Sequence, residues 1–252
     1  VNVLIAGEQH LGCPLLLVDG VNLDTAAWQC WLAARPENLQ PATKLKFRIG
    51  LIDITHDWDG YVKSWSGNHR RSANKQRRAA EQDGDAHLVA LTDLHAGQLE
   101  PLLHEAFEIE DRGWKGREGT SVLRTPGAFD FFLRQAQQLC AWNEFELYFL
   151  RFNNQSIAFD FCLSTKGVLS SHKIGYDEAY HKYAPFKILR AMQLEQLFQD
   201  PDRRLLDTLG ILGDANAKYA TRYIETSRPI APTNTVGRIA LAGYRHVWPA
   251  CK

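Results

Sequence analysis

The feature that most restricts the fold of this 252-residue chain lies between residues 144 and 176. Apolar side chains alternate there through three successive runs joined by two tight turns. Glu144 to Phe152 places Phe145, Leu147 and Phe149 on one face. Gln155 to Leu163 repeats the pattern, with Ile157, Phe159, Phe161 and Leu163 on one face and Ser156, Ala158, Asp160 and Cys162 on the other. A two-residue period is that of a strand with distinct faces. Asn153-Asn154 reads as a hairpin turn because Asn tolerates positive φ, and Lys166-Gly167 makes the next. Val168 to Tyr176 is then the third strand of a meander, with Ser170, His172 and Tyr176 on one side.

Helices precede this meander. Ala96 to Ile109 carries a helical stripe of Leu99, Leu102, Leu103, Ala106 and Phe107. A second helix starts at Pro126 and carries Phe129, Phe132, Leu133, Ala136 and Leu139. Both stripes need a sheet to cover. Before them, residues 61 to 83 read as helix and Ala86 to Leu91 as a short strand. After the meander, Pro185 opens a helix that runs to Phe198, and Asp200-Pro201 ends it. Leu205 to Leu209 is a strand containing Asp207. Asp214 caps a short helix holding Lys218 and Tyr219, and Arg222 to Ile224 starts a last strand. Near the start, Cys13 to Val18 and Phe47 to Ile54 read as strands, with a helix from Asp24 through Leu32 between them.

Composition excludes several classes. The formal net charge is zero, from 29 basic and 29 acidic residues, so nothing pulls the chain as a whole toward nucleic acid or an anionic membrane. The five cysteines form no C-x-x-C pair, and free thiols suit a reducing, cytoplasmic setting. The N-terminal apolar run Leu15 to Val18 is too short to span a bilayer. No His, Cys, Asp and Glu cluster has metal-ligand spacing, and neither a G-x-S-x-G elbow nor a Walker loop occurs.

Two stretches stand out chemically. Residues 108 to 120, Glu-Ile-Glu-Asp-Arg-Gly-Trp-Lys-Gly-Arg-Glu-Gly-Thr, hold three glycines, one tryptophan and seven charged residues. Glycine at that density implies special backbone geometry or close approach. Residues 69 to 78, His-Arg-Arg-Ser-Ala-Asn-Lys-Gln-Arg-Arg, form a basic helix that reads first as a solvated face. It lacks the aromatic interleaving of a single-strand binder.

From residue 86 the order strand, helix, helix, three-strand meander, helix, strand, helix, strand is that of the GNAT acyltransferase fold. The run Glu110, Gly113-Trp114-Lys115-Gly116-Arg117-Glu118-Gly119-Thr120 resembles the E-x-x-G-W-K-G-x-x-G-T signature of the CelD-like, cellulose-biosynthesis-associated acetyltransferases, distant relatives of the FemAB peptidyltransferases. The resemblance spans roughly residues 10 to 225. It implies an α/β (α+β) fold, with a mixed, mostly antiparallel sheet flanked by helices. It also implies a division into a partial N-terminal GNAT-like region (1–66), a GNAT domain (67–228) and a C-terminal tail (229–252). Two departures are visible. Ala184-Pro185-Phe186 stands where the family has Ser-Pro-Gly, and Ala217-Lys218 stands where it has Tyr-Lys, with Tyr219 following.

The resemblance also implies the chemistry. Acetyl-CoA or another acyl-CoA would enter where strands 168–176 and 204–209 splay apart, near Tyr176. Its diphosphate would rest on the backbone N–H groups of Phe186, Lys187 and Ile188, with Pro185 fixing the first helical turn. An amine or hydroxyl of a small molecule, sugar or cell-envelope precursor would attack the acyl carbonyl. His172 is the first candidate base, Asp160 on the neighbouring strand is a further catalytic candidate, and Tyr176 or Tyr219 is a candidate acid. Asp207 and Lys218 read first as a pair, then as acceptor contacts. Trp114 would be a stacking platform, and Lys115 or Arg117 an anchor for an acidic group. No metal is expected. An aminoacyl-tRNA-dependent FemAB-like transferase, touching tRNA through the basic helix, and a degenerate non-catalytic domain are the competing readings.

Overall fold

A computed structural model describes residues 12–247. They fall into two compact units, one comprising residues 50–222 and the other residues up to 49 together with those from 223 on. In the second of these, β1 (Leu15–Leu17) pairs antiparallel with β8 (Arg222–Pro232), with Leu16 opposite Ala231. Helix α1 (Ala26–Ala33) contributes buried Trp31, and Arg35 donates to the Pro232 carbonyl at 2.5 Å. Strand β2 (Ala42–Asp53) gives Ala42 to a small core with Ile230 and Leu241. Leu241 lies on α9 (Thr235–Val247), which occupies part of the tail that sequence reasoning left unassigned.

The unit of residues 50–222 carries the meander. Helices α2 (Trp58–Ser64) and α3 (Gly67–Asp83) replace the single helix expected from 61 to 83. The break falls at Trp65-Ser66 because Ser66 caps α3, accepting the His69 N–H at 3.2 Å. Then follow β3 (Ala86–Leu91), α4 (Ala96–Asp111), the single turn α5 (Trp114–Arg117), α6 (Ala128–Ala141), β4 (Phe145–Phe152), β5 (Gln155–Thr165) and β6 (Val168–Tyr176). Helix α7 (Pro185–Gln199), β7 (Leu205–Ile211) and the single turn α8 (Asp214–Ala217) complete it. The strands lie in the order β7-β6-β5-β4-β3, parallel only between β6 and β7. This is the expected mixed, mostly antiparallel sheet flanked by helices. Among the described residues no helix is long and apolar enough to cross a membrane.

The alternation read from the sequence sorts the two faces. Phe145, Leu147, Phe149, Phe159 and Phe161 pack under Leu99, Leu103 and Phe107 of α4 and Leu139 of α6. Tyr148, Cys162, Leu169 and Leu206 pack under Leu194, Leu197 and Phe198 of α7. Both turns follow the expected chemistry, with positive φ at Asn153, Asn154, Lys166 and Gly167.

Two β-bulges depart from strict alternation. The first lies opposite Leu150 and Arg151, which face Ala158 and Ser156, so Ile157 is the extra residue. Ile157 therefore packs with Leu150 and Ile188 on the α7 side, not beside Phe159 as simple alternation predicts. The second makes His172 the extra residue of β6, because Lys173 faces Phe161 and Ser171 faces Cys162. His172 and Tyr176 consequently do not share a side. Lys173 joins His172 instead, reaching Glu110 on α4.

Asp160 is fully buried on the α7 side and already satisfied. Its oxygens accept from Ser171 Oγ at 2.7 Å and Gln193 Nε2 at 3.2 Å, and Arg190 Nη1 lies 3.2 Å away. Arg190 also donates to Ser171 Oγ at 2.8 Å and Gln193 Oε1 at 2.6 Å. A buried carboxylate of this kind needs a cation and donors on all sides, and α7 and β6 together supply them. Asp160 is therefore a structural residue, and its burial keeps it from the catalytic role expected for it. Asp160→Ala strands the Arg190 charge and should cost about 3–5 kcal/mol in urea-denaturation stability. A loss below about 1 kcal/mol would contradict the reading.

Candidate active site

The Gly-Trp-Lys-Gly stretch owes its shape to its glycines and its ion pairs. Helix α4 ends at Asp111, and the one-turn α5 folds back against that end. A Cβ on Gly116 would lie 1.8 Å from the Asp111 carbonyl oxygen, so only glycine allows the approach. Gly119 has φ +72°, where the chain leaves the turn. The surrounding charges pair with one another. Arg112 Nε donates to Asp177 Oδ2 at 2.7 Å, and Asp177 is buried. Arg117 Nη2 meets Glu178 Oε2 at 2.7 Å, and Glu178 Oε1 accepts the Trp114 N–H at 3.2 Å. Arg124 reaches Asp111 at 2.7 Å.

Glu110 is the centre of this arrangement. It is buried at 4% exposure, and its Oε1 lies 2.6 Å from Lys115 Nζ and 2.9 Å from Lys173 Nζ. Its Oε2 accepts the Val122 N–H at 3.1 Å. Burial alone would push its carboxyl up. The hydrogen bonds from Lys115, Lys173 and Val122 outweigh burial and hold it below the usual carboxylate range. One carboxylate thus faces two ammonium groups and leaves a net positive charge.

Above Glu110 lies a cavity of about 240 Å³. Trp114 and Lys115 form one wall, Ile174 and Tyr176 at the end of β6 another, and Phe186 at the start of α7 a third. Trp114 is 49% exposed, and Lys115 Nζ lies 5.9 Å from the centre of its ring. The cavity is lined by Ile174 to Tyr176, the stretch of β6 beyond its pairing with β7. β6 and β7 pair only from Val168–Leu205 to Ser170–Asp207, although β6 continues to Tyr176 and β7 to Ile211.

The start of α7 differs from expectation. Ala184 takes a left-handed conformation with φ +53°, and its carbonyl accepts from the amides of both Lys187 (2.9 Å) and Ile188 (3.3 Å). Of the three amides expected to cradle a diphosphate, Phe186 alone lacks a backbone acceptor. The Phe186 ring stacks on Arg190, 5.1 Å away, beside that amide. Pro185 occupies the first turn as expected, but it is buried. An acyl-CoA would find the strand gap, one free amide and the Lys187 charge here, a reduced form of the expected cradle.

The structure thus gathers Trp114, Lys115, Tyr176 and Phe186 of the expected site residues, with Arg117 clamped beside them through Glu178. His172 sits at the β6 bulge and does not line the cavity. Its ring lies 6.0 Å from Phe132 and 5.9 Å from Phe161. Burial and the Lys173 charge hold its pKa below the ordinary value, so the imidazole is neutral at pH 7. Tyr219 is buried among Trp65 and His69, away from the cavity, and burial pushes its hydroxyl up to about 12. The expected Asp207–Lys218 pair does not form. Asp207 accepts the Leu209 N–H at 2.8 Å, and burial, opposed by that bond and by Arg222, raises its pKa. Sequence reasoning passed over Glu110, Lys173 and Glu178 as site residues. Glu110 stood in the quoted signature, but only the β6 bulge brings Lys173 to it.

The family described as acetyltransferase (GNAT) domain matches residues 67–219. No curated protein matches the sequence. Among solved structures, the C-terminal domain of a protein assigned as a lysylphosphatidylglycerol synthetase from Agrobacterium fabrum superposes with TM-score 0.56 at 12% identity, over 92% of this chain and 72% of that one. L-PGS from Bacillus licheniformis gives TM-score 0.53 at 12% identity, over 90% and 70%. A conserved protein of unknown function from Bacteroides thetaiotaomicron gives 0.51 at 14% identity, over 86% and 69%. At these identities the likeness is one of fold.

Glu110 has a lowered folded-state pKa, so its stabilisation is present above the ordinary glutamate range, roughly pH 4.3, and is lost as pH falls through the folded value. Glu110→Gln should therefore be less stable than the parent at pH 7, by about 1–3 kcal/mol, and converge on it in acid. Denaturant titrations at pH 7 and pH 3 measure this. An equal gap at both pH values would refute it.

Proposed function

We propose that this chain, which belongs to the acetyltransferase (GNAT) domain family, is an acyltransferase that binds its acceptor in the cavity under Trp114. One observation carries the reading. A half-exposed tryptophan and a lysine on a braced loop close a cavity lined by the stretch of β6 that runs beyond its pairing with β7. A flat sugar or ring face stacks on Trp114 there. The positive charge left over around Glu110, which Lys115 presents to the cavity, suits a carboxylate or phosphate on the acceptor.

The finer assignment is an acyl-CoA-dependent N- or O-acyltransferase of the CelD-like branch, acting on a small molecule, saccharide or cell-envelope precursor. The acceptor amine or hydroxyl attacks the acyl carbonyl, the C–N or C–O bond forms, and the carrier thiolate leaves. The acceptor proton passes to solvent, since His172 lies outside the cavity, and the Tyr176 hydroxyl at the cavity edge gives one to the thiolate. Positioning of the acceptor against the carbonyl supplies much of the rate. Lys187, at the start of α7, holds the carrier's anionic part.

The start of α7 favours one competing reading. With Phe186 in place of glycine and two amides already engaged, the diphosphate cradle is incomplete, which favours a donor other than coenzyme A, such as an aminoacyl ester on tRNA. The basic helix α3 adds little to that reading, because Arg77 is paired with Glu81 and Glu195, and Arg70 and Arg71 donate to backbone carbonyls.

Calorimetry with acetyl-CoA separates the two. Saturable binding that Lys187→Glu weakens about tenfold supports the acyl-CoA reading, a loss of the size of one charge-assisted contact. Absent binding, together with salt-sensitive tRNA binding, supports the other. In either case Trp114→Ala should raise the acceptor KM with little change in kcat or melting temperature. An unchanged KM would remove Trp114 from the acceptor site.

A further inference from the structure

The wall of the cavity under Trp114 carries opposite charges at two places, and this narrows the acceptor. Lys115 gives one hydrogen bond to Glu110, at 2.6 Å, and its partly exposed ammonium has donors to spare for the cavity that it lines. Glu110 is shared with Lys173, so positive charge is in excess there. Glu178 lines the same cavity. Its Oε1 accepts the Trp114 N–H and its Oε2 meets Arg117, which leaves acceptor positions on both oxygens. Arg117 is 63% exposed, and an ion pair so open to solvent is weak, so the Glu178 charge stays available to a cation in the cavity.

Gly113, also on the wall, marks the end rich in acceptors. A Cβ there would lie 3.7 Å from the Tyr176 carbonyl oxygen and 3.9 Å from Glu178 Oε1. Glycine keeps that space open, and two oxygens border it. The volume of about 240 Å³ falls below the roughly 300–1,000 Å³ of sites for drug-sized ligands, so the occupant is small. A neutral sugar would desolvate the Lys115 ammonium and the Glu178 carboxylate without pairing either. A phosphate would set roughly two negative charges beside Glu178. A molecule with one carboxylate and one amine matches both ends.

We infer that the acceptor is a small free amino acid, with its carboxylate on Lys115, its amino group at Glu178 and the Tyr176 carbonyl, and its side chain against the Trp114 ring. This rests on the reading of that cavity as the acceptor site. The bound ammonium releases one proton to solvent, which frees its lone pair. The nitrogen then forms the C–N bond as the C–S bond to the carrier breaks, and its second proton balances the one the thiolate takes up.

Calorimetric titration of the full chain with each standard amino acid, with and without coenzyme A, tests the inference. Saturable binding of at least one is expected. Its amide, which lacks the carboxylate, and the matching acid without the amine should each bind about tenfold more weakly. Glu178→Gln should weaken the amino acid about tenfold and leave the amine-free acid unchanged. Lys115→Met should weaken the amino acid by a similar factor and leave the amide unchanged. Absence of saturable binding by every amino acid at millimolar concentration would overturn the inference. So would binding that is indifferent to loss of either charged end of the ligand. Labelled acetyl-CoA separates this failure from that of the acyltransferase reading. Trp114-dependent transfer to an acceptor that lacks either charge would keep the acyltransferase and overturn the amino acid. Amino-acid binding that Trp114→Ala weakens, without transfer from any acyl donor, would keep the ligand and remove the acyltransferase.

Discussion

Glu110 is the fixed point of the candidate site. It stands at the end of α4 and holds Lys115 of the tryptophan loop, Lys173 of β6 and the Val122 amide with one buried carboxylate. A buried carboxylate is stable only when paired and hydrogen-bonded. Its presence therefore fixes where both lysines lie, and with them the loop and the strand edge that face each other across the cavity. Asp177 and Glu178, just beyond β6, repeat the device by holding Arg112, Arg117 and the Trp114 amide. The loop is thus braced by three carboxylates before any ligand arrives. Such preorganisation reduces the ordering cost of binding.

The order of the elements was legible because it rests on local signals. A two-residue alternation marked β4 to β6, Asn-Asn and Lys-Gly marked the turns, and helical stripes marked α4 and α6. The strands β3 and β6 begin and end where the sequence placed them. The bulges were not legible, because one extra residue leaves the local pattern nearly unchanged while rotating everything after it. The extra residue in β5 explains the misplacement of Ile157, and the one in β6 the separation of His172 from Tyr176. It also hid the approach of Lys173 to Glu110, two residues 63 positions apart in sequence.

The site was legible in its loop and less so in its partners. Gly116 could be read as a close approach, and Asp111 is the backbone it approaches. Asp160 looked like a catalytic candidate because a lone acidic residue in a strand gives no hint of its counterion. Arg190 and Gln193 reach it only after α7 docks. Tyr219 was separated from the acceptor cavity for a similar reason. The α2–α3 junction, which reads as continuous helix in sequence, breaks at Ser66 and brings Trp65 and His69 against it. Keeping the order of a fold therefore leaves room for a chain to reassign its polar residues.

The central claim is that the braced tryptophan loop is the acceptor wall of an acyltransferase. Incubating the chain with isotopically labelled acetyl-CoA and an untargeted metabolite extract tests it most directly. The account predicts a labelled product that bears an acidic group. It also predicts that Trp114→Ala slows product formation at low acceptor concentration and matches the parent at saturation. Label transfer that is the same in the parent and the Trp114→Ala chain at every acceptor concentration would contradict it.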